Sequence, residues 1–260
     1  MISFFNRIEN FFLYHPSQSI NSNPEELNFK FKEVRFSSFD NTKLHGWYFP
    51  PQSMDNSVIL WSHGNAGNIS HRIENILLMQ KYLDVGVFIF DYRGYGLSEG
   101  VPSEKGLYSD IVGAYAWLSK RIPENRIVLF GRSLGAAIAA KLSTEKKSAQ
   151  ALILESPFEN TIEMGKKIFP FLPLKWMIKQ RYDTRGVISS VQIPLLILHG
   201  NQDTIVPIQQ GKNLFRLASE PKQFFEIKGA NHNDTFSVGG RLYWEIWKNF
   251  IAKTKKTNQE

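Results

Sequence analysis

The pattern Gly-x-Ser-x-Gly occurs twice, as Gly96-Leu97-Ser98-Glu99-Gly100 and as Gly131-Arg132-Ser133-Leu134-Gly135. A serine in this pattern can serve as a nucleophile when a strand runs straight into it and a helix leaves it. The sharp turn exposes the hydroxyl, glycines leave room in the bend, and the helix N–H groups favour negative charge that develops nearby. Only the second copy has that setting. Residues 127–130 are an apolar run that ends at the motif, and residues 134–140 are small and apolar, as in a packed helix. The first copy lies several residues past its strand, with Pro102 still to come before a helix. Ser98 therefore reads as a turn residue and Ser133 as the nucleophile.

A serine hydroxyl needs a general base, and the base needs an acid to orient it. Behind an elbow of this kind the chain order is serine, acid, histidine. Of His15, His45, His63, His71, His199 and His232, only the last two follow Ser133. His199 ends an apolar run and precedes Gly200, so it reads as structural. His232 lies in a loop after the strand at 223–227, at the carboxyl end where ligands bind in open α/β sheets, and it is the predicted base. Glu155, Asp183 and Asp203 are the acid candidates. Asp203 follows the strand at 194–198 and is preferred, Glu155 at a strand end is the fallback, and Asp183 is expected to pair with basic neighbours. The oxyanion needs preorganised N–H donors. Leu134, next to the nucleophile, supplies one. Asn65 supplies the other, from the loop 62–68 after the strand at 57–61, in which His63 reads as a loop-shaping residue. No HExxH motif and no acid cluster stands out, so neither metal nor cofactor is expected.

These residues must be carried by a parallel sheet. Short, continuous apolar runs at 57–61, 85–90, 126–130, 151–154 and 194–198 have the character of strands buried on both faces. Helical patterns at 70–83, 103–120, 134–142, 208–218 and 242–254 alternate with them, which predicts βαβ crossovers and a mostly parallel, doubly wound α/β sheet. Ahead of it, 28–40 and 43–49 alternate apolar and polar residues around Asp40-Asn41, as in an N-terminal antiparallel hairpin. Residues 158–191 break the alternation and predict a short cap of one or two helices over an edge of the sheet. Between 161 and 185 it carries Lys166, Lys167, Lys175, Lys179, Arg181 and Arg185 against Glu163 and Asp183, which reads either as a cap helix with a solvated face or as a rim that receives acyl chains with anionic head groups. The expected organisation is an amphipathic N-terminal segment at 1–27, one domain at 28–252 and a basic polar tail at 253–260.

Composition narrows the classes further. With 42% hydrophobic residues in 260, the chain can build a large core, and the absence of cysteine removes disulfides, thiolate metal sites and a Cys nucleophile. A net charge of +7 over this length does not define a nucleic-acid binder. No run reaches the roughly 20 apolar residues of a membrane span. Residues 1–13 hold Ile2, Phe4, Phe5, Ile8, Phe11, Phe12 and Leu13, interrupted by Arg7 and Glu9, and do not read as a signal peptide. They predict a helix that docks on the domain or touches an anionic membrane surface, in a protein that is cytoplasmic or membrane-peripheral. Oligomeric state has no signal here.

Taken together, HGWYFP at 45–50, SHGNAGN at 62–68, DYRGYGLSEG at 91–100, GRSLG at 131–135, ESPF at 155–158, LHGNQDTIVP at 198–207 and GANHND at 229–234 resemble the α/β-hydrolase superfamily, and within it the Bem46-like, ABHD13/ABHD17-type serine hydrolases. The resemblance spans about 28–252 and implies the α/β-hydrolase fold. It also implies Ser133, Asp203 and His232 as a triad, with the Asn65 and Leu134 N–H groups as the oxyanion hole. The expected reaction is hydrolysis of a small or acyl-chain ester or thioester through an acyl-enzyme. The alternatives are an aminopeptidase or amidase on the same triad, and a non-catalytic ligand-binding hydrolase fold. Serine at the elbow sets the chain apart from related dehalogenases and epoxide hydrolases, which use aspartate there.

Overall fold

The apolar runs become strands whose alternate residues feed two cores. In the computed structural model, which describes residues 9–257 apart from Phe12 and Asn28, they assemble one sheet. Its strands are β1 (Lys32–Ser37), β2 (Lys43–Phe49), β3 (Val58–Ser62), β4 (Gly86–Phe90), β5 (Ile127–Arg132), β6 (Ala151–Glu155), β7 (Leu195–Gly200) and β8 (Lys222–Ile227). They lie in the order β8-β7-β6-β5-β3-β4-β2-β1. The β1–β2 and β2–β4 pairs are antiparallel and all the others parallel. The expected hairpin is thus present, with Asn41 at φ 66° in its turn.

The connecting helices are α1 (Ile73–Leu83), α2 (Glu104–Ser119), α3 (Leu134–Ser143), α4 (Thr161–Ile168), α5 (Leu174–Met177), α6 (Thr184–Val187), α7 (Ile208–Leu217) and α8 (Thr235–Thr257). Along β3, Val58 and Leu60 join the core beneath α2 and α3, while Ile59 and Trp61 join the one beneath α1 and α8. This alternation on a fully buried strand is what winds the sheet doubly. The second core centres on aromatic packing. Trp61 lies 5.2 Å from Phe130, and Phe130 lies 4.7 Å from Trp247 of α8, in an edge-on contact.

Three local departures have physical causes. The first helix opens as a 3₁₀ turn, Ile69–Arg72, because the Asn68 side chain accepts from Ser70 N–H and fixes the start there. The last helix begins at Thr235, ahead of the expected 242, and kinks at Gly240, whose φ of 52° glycine tolerates best. The cap has three short helices, α4 to α6, where one or two were expected, and it does not lie over a sheet edge. Its residues Thr161, Met164, Leu174 and Trp176 face the same cavity as Ser133, above the carboxyl ends of the central strands. Asp183 caps α6, its Oδ1 accepting from Gly186 N–H at 3.0 Å, and it pairs with no basic side chain among the described residues. Residues 1–8 of the expected amphipathic segment lie outside the described residues, and no described helix is long and apolar enough to cross a membrane.

Trp247 is fully buried between the sheet and α8. Trp247→Ala is expected to cost about 3–5 kcal/mol, the range for large-to-small aromatic truncation in a core. Urea denaturation followed by circular dichroism measures it.

Candidate active site

At the end of β5 the chain turns so sharply that Ser133 adopts φ 53°, ψ −118° before α3 begins. Two glycines make the turn sterically feasible. A Cβ on Gly131 would stand 2.2 Å from Gly135 O, and one on Gly135 would stand 2.0 Å from Ser62 O at the end of β3. Ser133 N–H donates to Glu155 O at 2.9 Å, which anchors the turn to the end of β6. Its neighbour across the cleft is Gly64, where a Cβ would lie 3.7 Å from the serine Cβ. The loop after β3 therefore runs alongside Ser133, and its Asn65, together with Ser133 and Leu134, lines one cavity.

The loops after β7 and β8 bring Asp203 to His232. Asp203 Oδ2 accepts from His232 Nδ1 at 2.7 Å, while its Oδ1 accepts from the N–H groups of Ile205 at 2.9 Å and Val206 at 2.7 Å. His199 Nε2 lies 3.5 Å from Asp203 Oδ2 and donates to Val206 O at 2.9 Å. Burial on its own would raise the Asp203 carboxyl, but the contacts from His199, His232 and Val206 outweigh it and hold the group below the usual carboxylate range. A lowered pKa of this kind adds stability that is present above the ordinary carboxylate range and lost as the pH falls below it. With Nδ1 donating to an ionised Asp203, Nε2 of His232 is the nitrogen left as acceptor. His232 and Ser133 both line the cavity.

Other sequence candidates fall elsewhere. Ser98 is buried in loop packing, donating to Asp91 O at 2.7 Å and accepting from His45 N–H at 2.9 Å. His63 is buried, stacks on Tyr92 at 4.4 Å and holds Gly64 O at 2.7 Å. Burial, helped by the charge of Arg72, pulls its pKa down to about 4, so the ring is neutral. Glu155, the fallback acid, serves a brace behind the site. It pairs with Arg132 Nε at 3.1 Å and accepts from Thr235 at 2.7 Å and from Tyr243, while Arg132 donates to the main-chain oxygen of His232 at 2.7 Å.

The segment expected to dock on the domain does so from Glu9 onward, and residues 9–11 and 13–21 form one wall of the site, a place for which the sequence carries no signal. Glu9 Oε1 accepts from the N–H groups of Lys179 and Gln180 in the cap, each at 2.8 Å. Tyr14 reaches Gln180 and Tyr182. Then His15–Pro16 pairs as a two-residue parallel strand with Ala66–Gly67, beside Asn65. Asn68 Nδ2 closes the strap by donating to Ser17 O at 2.9 Å and Ser19 O at 2.7 Å. The enclosed cavity measures about 1350 Å³ and is mostly apolar, with Phe158, Met164, Leu172, Leu174 and Ile205 among its lining.

The sequence matches the family model described as serine aminopeptidase, S33, over residues 55–185. It is 35% identical over 259 residues to the alpha/beta hydrolase domain-containing protein WAV2 of Arabidopsis thaliana, covering 91% of this chain and 83% of that one. The lysophosphatidylserine lipase ABHD12 of Danio rerio is 35% identical over 195 residues, which are 68% of this chain and 51% of that one. Among solved structures, the Pyrococcus furiosus esterase Pf2001 superposes with a TM-score of 0.76 at 23% identity, covering 93% of this chain and 97% of that one. That likeness is one of fold.

The brace yields a prediction. Arg132→Met strands a buried carboxylate and is expected to cost about 3–5 kcal/mol, whereas Arg132→Met with Glu155→Met costs less than the single change. Chemical denaturation of the two variants beside the unmodified protein checks the ordering.

Proposed function

The chain belongs to the α/β-hydrolase superfamily, and we propose that within it the protein is a serine hydrolase of carboxylic esters or thioesters. One observation carries the reading: an elbow serine and an Asp203-oriented His232 face a single cavity. Ser133 Oγ attacks the acyl carbon as His232 Nε2 takes its proton. The N–H groups of Asn65 and Leu134 receive the oxyanion, and collapse expels the alcohol or thiol, which takes the proton back from His232. Water, deprotonated by His232, then attacks the acyl-enzyme and releases the acid. The large apolar cavity suits an acyl chain of substantial length.

The match to a serine aminopeptidase model favours a second reading, cleavage of aminoacyl amides. The charge of the cavity counts against it. A free α-ammonium needs carboxylates, yet among the described residues Glu9 is the one acid in the lining, its Oε1 already accepts from two backbone N–H groups, and Arg72, Arg132 and Lys179 line the same space.

A fluorophosphonate probe is expected to label the protein, and Ser133→Ala to abolish both labelling and turnover of p-nitrophenyl esters. Asp203→Asn is expected to lower kcat by a factor on the order of 10⁴, the loss that follows when a triad histidine is held in the wrong tautomer. Labelling that survives Ser133→Ala defeats the reading, and turnover of aminoacyl amides alone hands it to the peptidase.

The reading extends to the source of substrate. Phe171 and Trp176 of the cap are 97% and 85% exposed, Trp176 lines the cavity, and Lys166, Lys167, Lys175 and Lys179 flank the two rings in sequence. Apolar rings flanked by cations suit the surface of an anionic bilayer. Co-sedimentation is expected with phosphatidylglycerol vesicles but not with phosphatidylcholine vesicles, and to be lost in the double variant Phe171→Ser, Trp176→Ser.

A further inference from the structure

Among the described residues, Arg72 is the one arginine in the cavity lining without a carboxylate. It ends the 3₁₀ turn Ile69–Arg72 that follows the Asn65 loop. Its guanidinium donates to Ala66 O at 2.5 Å, and no Asp or Glu pairs with it among the described residues. Other enclosed arginines are compensated. Arg132, also in the lining, pairs with Glu155 at 3.1 Å, and Arg93 pairs with Asp110 at 2.7 Å and Asp40 at 2.8 Å. The charges around Arg72 make its position less favourable still. Burial, and then the neighbouring charge of Arg132, pull its pKa down to about 10. The carboxylate across the cavity, Glu9, is committed to the cap backbone.

A half-buried cation that lines a cavity without a counter-ion gains when an anion arrives, because the anion replaces the water that its partly covered N–H groups have lost. A guanidinium also leaves several N–H groups free after one hydrogen bond, arranged in the planar fork that fits a phosphate or a carboxylate. We propose that Arg72 is an anion-recognition residue of this site, so that the ester it hydrolyses carries a phosphate or carboxylate group near the scissile bond. The acyl chain then lies along Phe158, Met164, Leu172 and Leu174, and the anionic group sits on the wall formed by the 3₁₀ turn. The proposal rests on the serine-hydrolase reading and adds the substrate class.

The test uses the full chain and three esters of one acid: butyryl glycerol, butyryl glycerol 3-phosphate and butyryl glycerate. They present a neutral, a phosphate and a carboxylate group on the same kind of ester bond. The wild-type protein is expected to prefer one or both anionic esters over the neutral one in kcat/KM, with a preference that shrinks as salt is added. Arg72→Gln is expected to cut that preference on the order of 10- to 100-fold, the worth of one hydrogen bond to a charged group, mainly through KM, and Arg72→Lys is expected to restore part of it. The ester with the larger loss identifies the anion. A wild-type preference for the neutral ester overturns the proposal whether or not the variant folds. So does an equal fall on all three esters, the outcome if Arg72 merely tethers Ala66 O. Loss of fluorophosphonate labelling in the wild type is a separate failure, that of the hydrolase reading itself.

Discussion

The candidate site depends on the strained turn at Ser133. A serine at φ 53° costs on the order of 1–3 kcal/mol and persists only where its surroundings over-determine it. Here they do so from three strands. The turn N–H is bonded to the end of β6, Gly135 lets α3 press against the end of β3, and β5 supplies the residue itself. The sheet order β6-β5-β3 is therefore a requirement of the elbow. Because β3 ends against α3, the loop that leaves it has to pass beside the serine, and Asn65 follows within three residues of Ser62. Ser133 and the candidate oxyanion donors thus share one packing constraint.

That constraint explains why so much could be read from the sequence. The glycines, the continuous apolar runs and the carboxyl-end loops are local signals, and each corresponds to a local steric demand: no Cβ, two buried faces, an exposed turn. The choice of Ser133 over Ser98 came from the same source, since only one copy of the motif had a strand running directly into it. The features that escaped were those without periodicity. The pairing of His15–Pro16 with Ala66–Gly67 is backbone to backbone and two residues long, so neither side chains nor spacing announce it. The cap's position over the strand ends, not over an edge, is fixed by long-range packing. Asp183 could have been read better. A helix cap is the ordinary use of an Asp three residues before a glycine whose N–H it can accept, and the basic neighbours were a distraction.

The strap at 9–21 joins two parts of the site that α/β topology alone would leave independent. The cap is an excursion between β6 and β7, whereas the Asn65 loop follows β3. Glu9 and Tyr14 hold the first, and the two-residue strand and Ser17 hold the second. Most of these contacts end on main-chain groups of the partner segment. They fix the separation of cap and loop without specifying the side chains that face the cavity. The frame of the wall is therefore held by main-chain contacts while its lining is left to side chains, which is the arrangement a binding site needs if its selectivity is to be set by a few projecting side chains.

Of the two arginines in that lining, which also holds Lys179 of the cap, Arg72 is the one without a carboxylate among the described residues. Arg132 is balanced by Glu155, and the Oε1 of Glu9 is shared between two N–H groups. What remains on the wall of the Asn65 loop is the positive charge of Arg72, next to a neutral His63 whose own protonation that charge opposes. The cavity is thus apolar over much of its lining and electropositive on the wall that carries Arg72. A cationic ligand would meet repulsion on that wall, and a neutral one would leave the guanidinium's remaining donors unused. The proposed substrate, an amphiphile whose anionic group lies close to its ester, would satisfy both ends at once and hold its acyl carbon between them, beside Ser133.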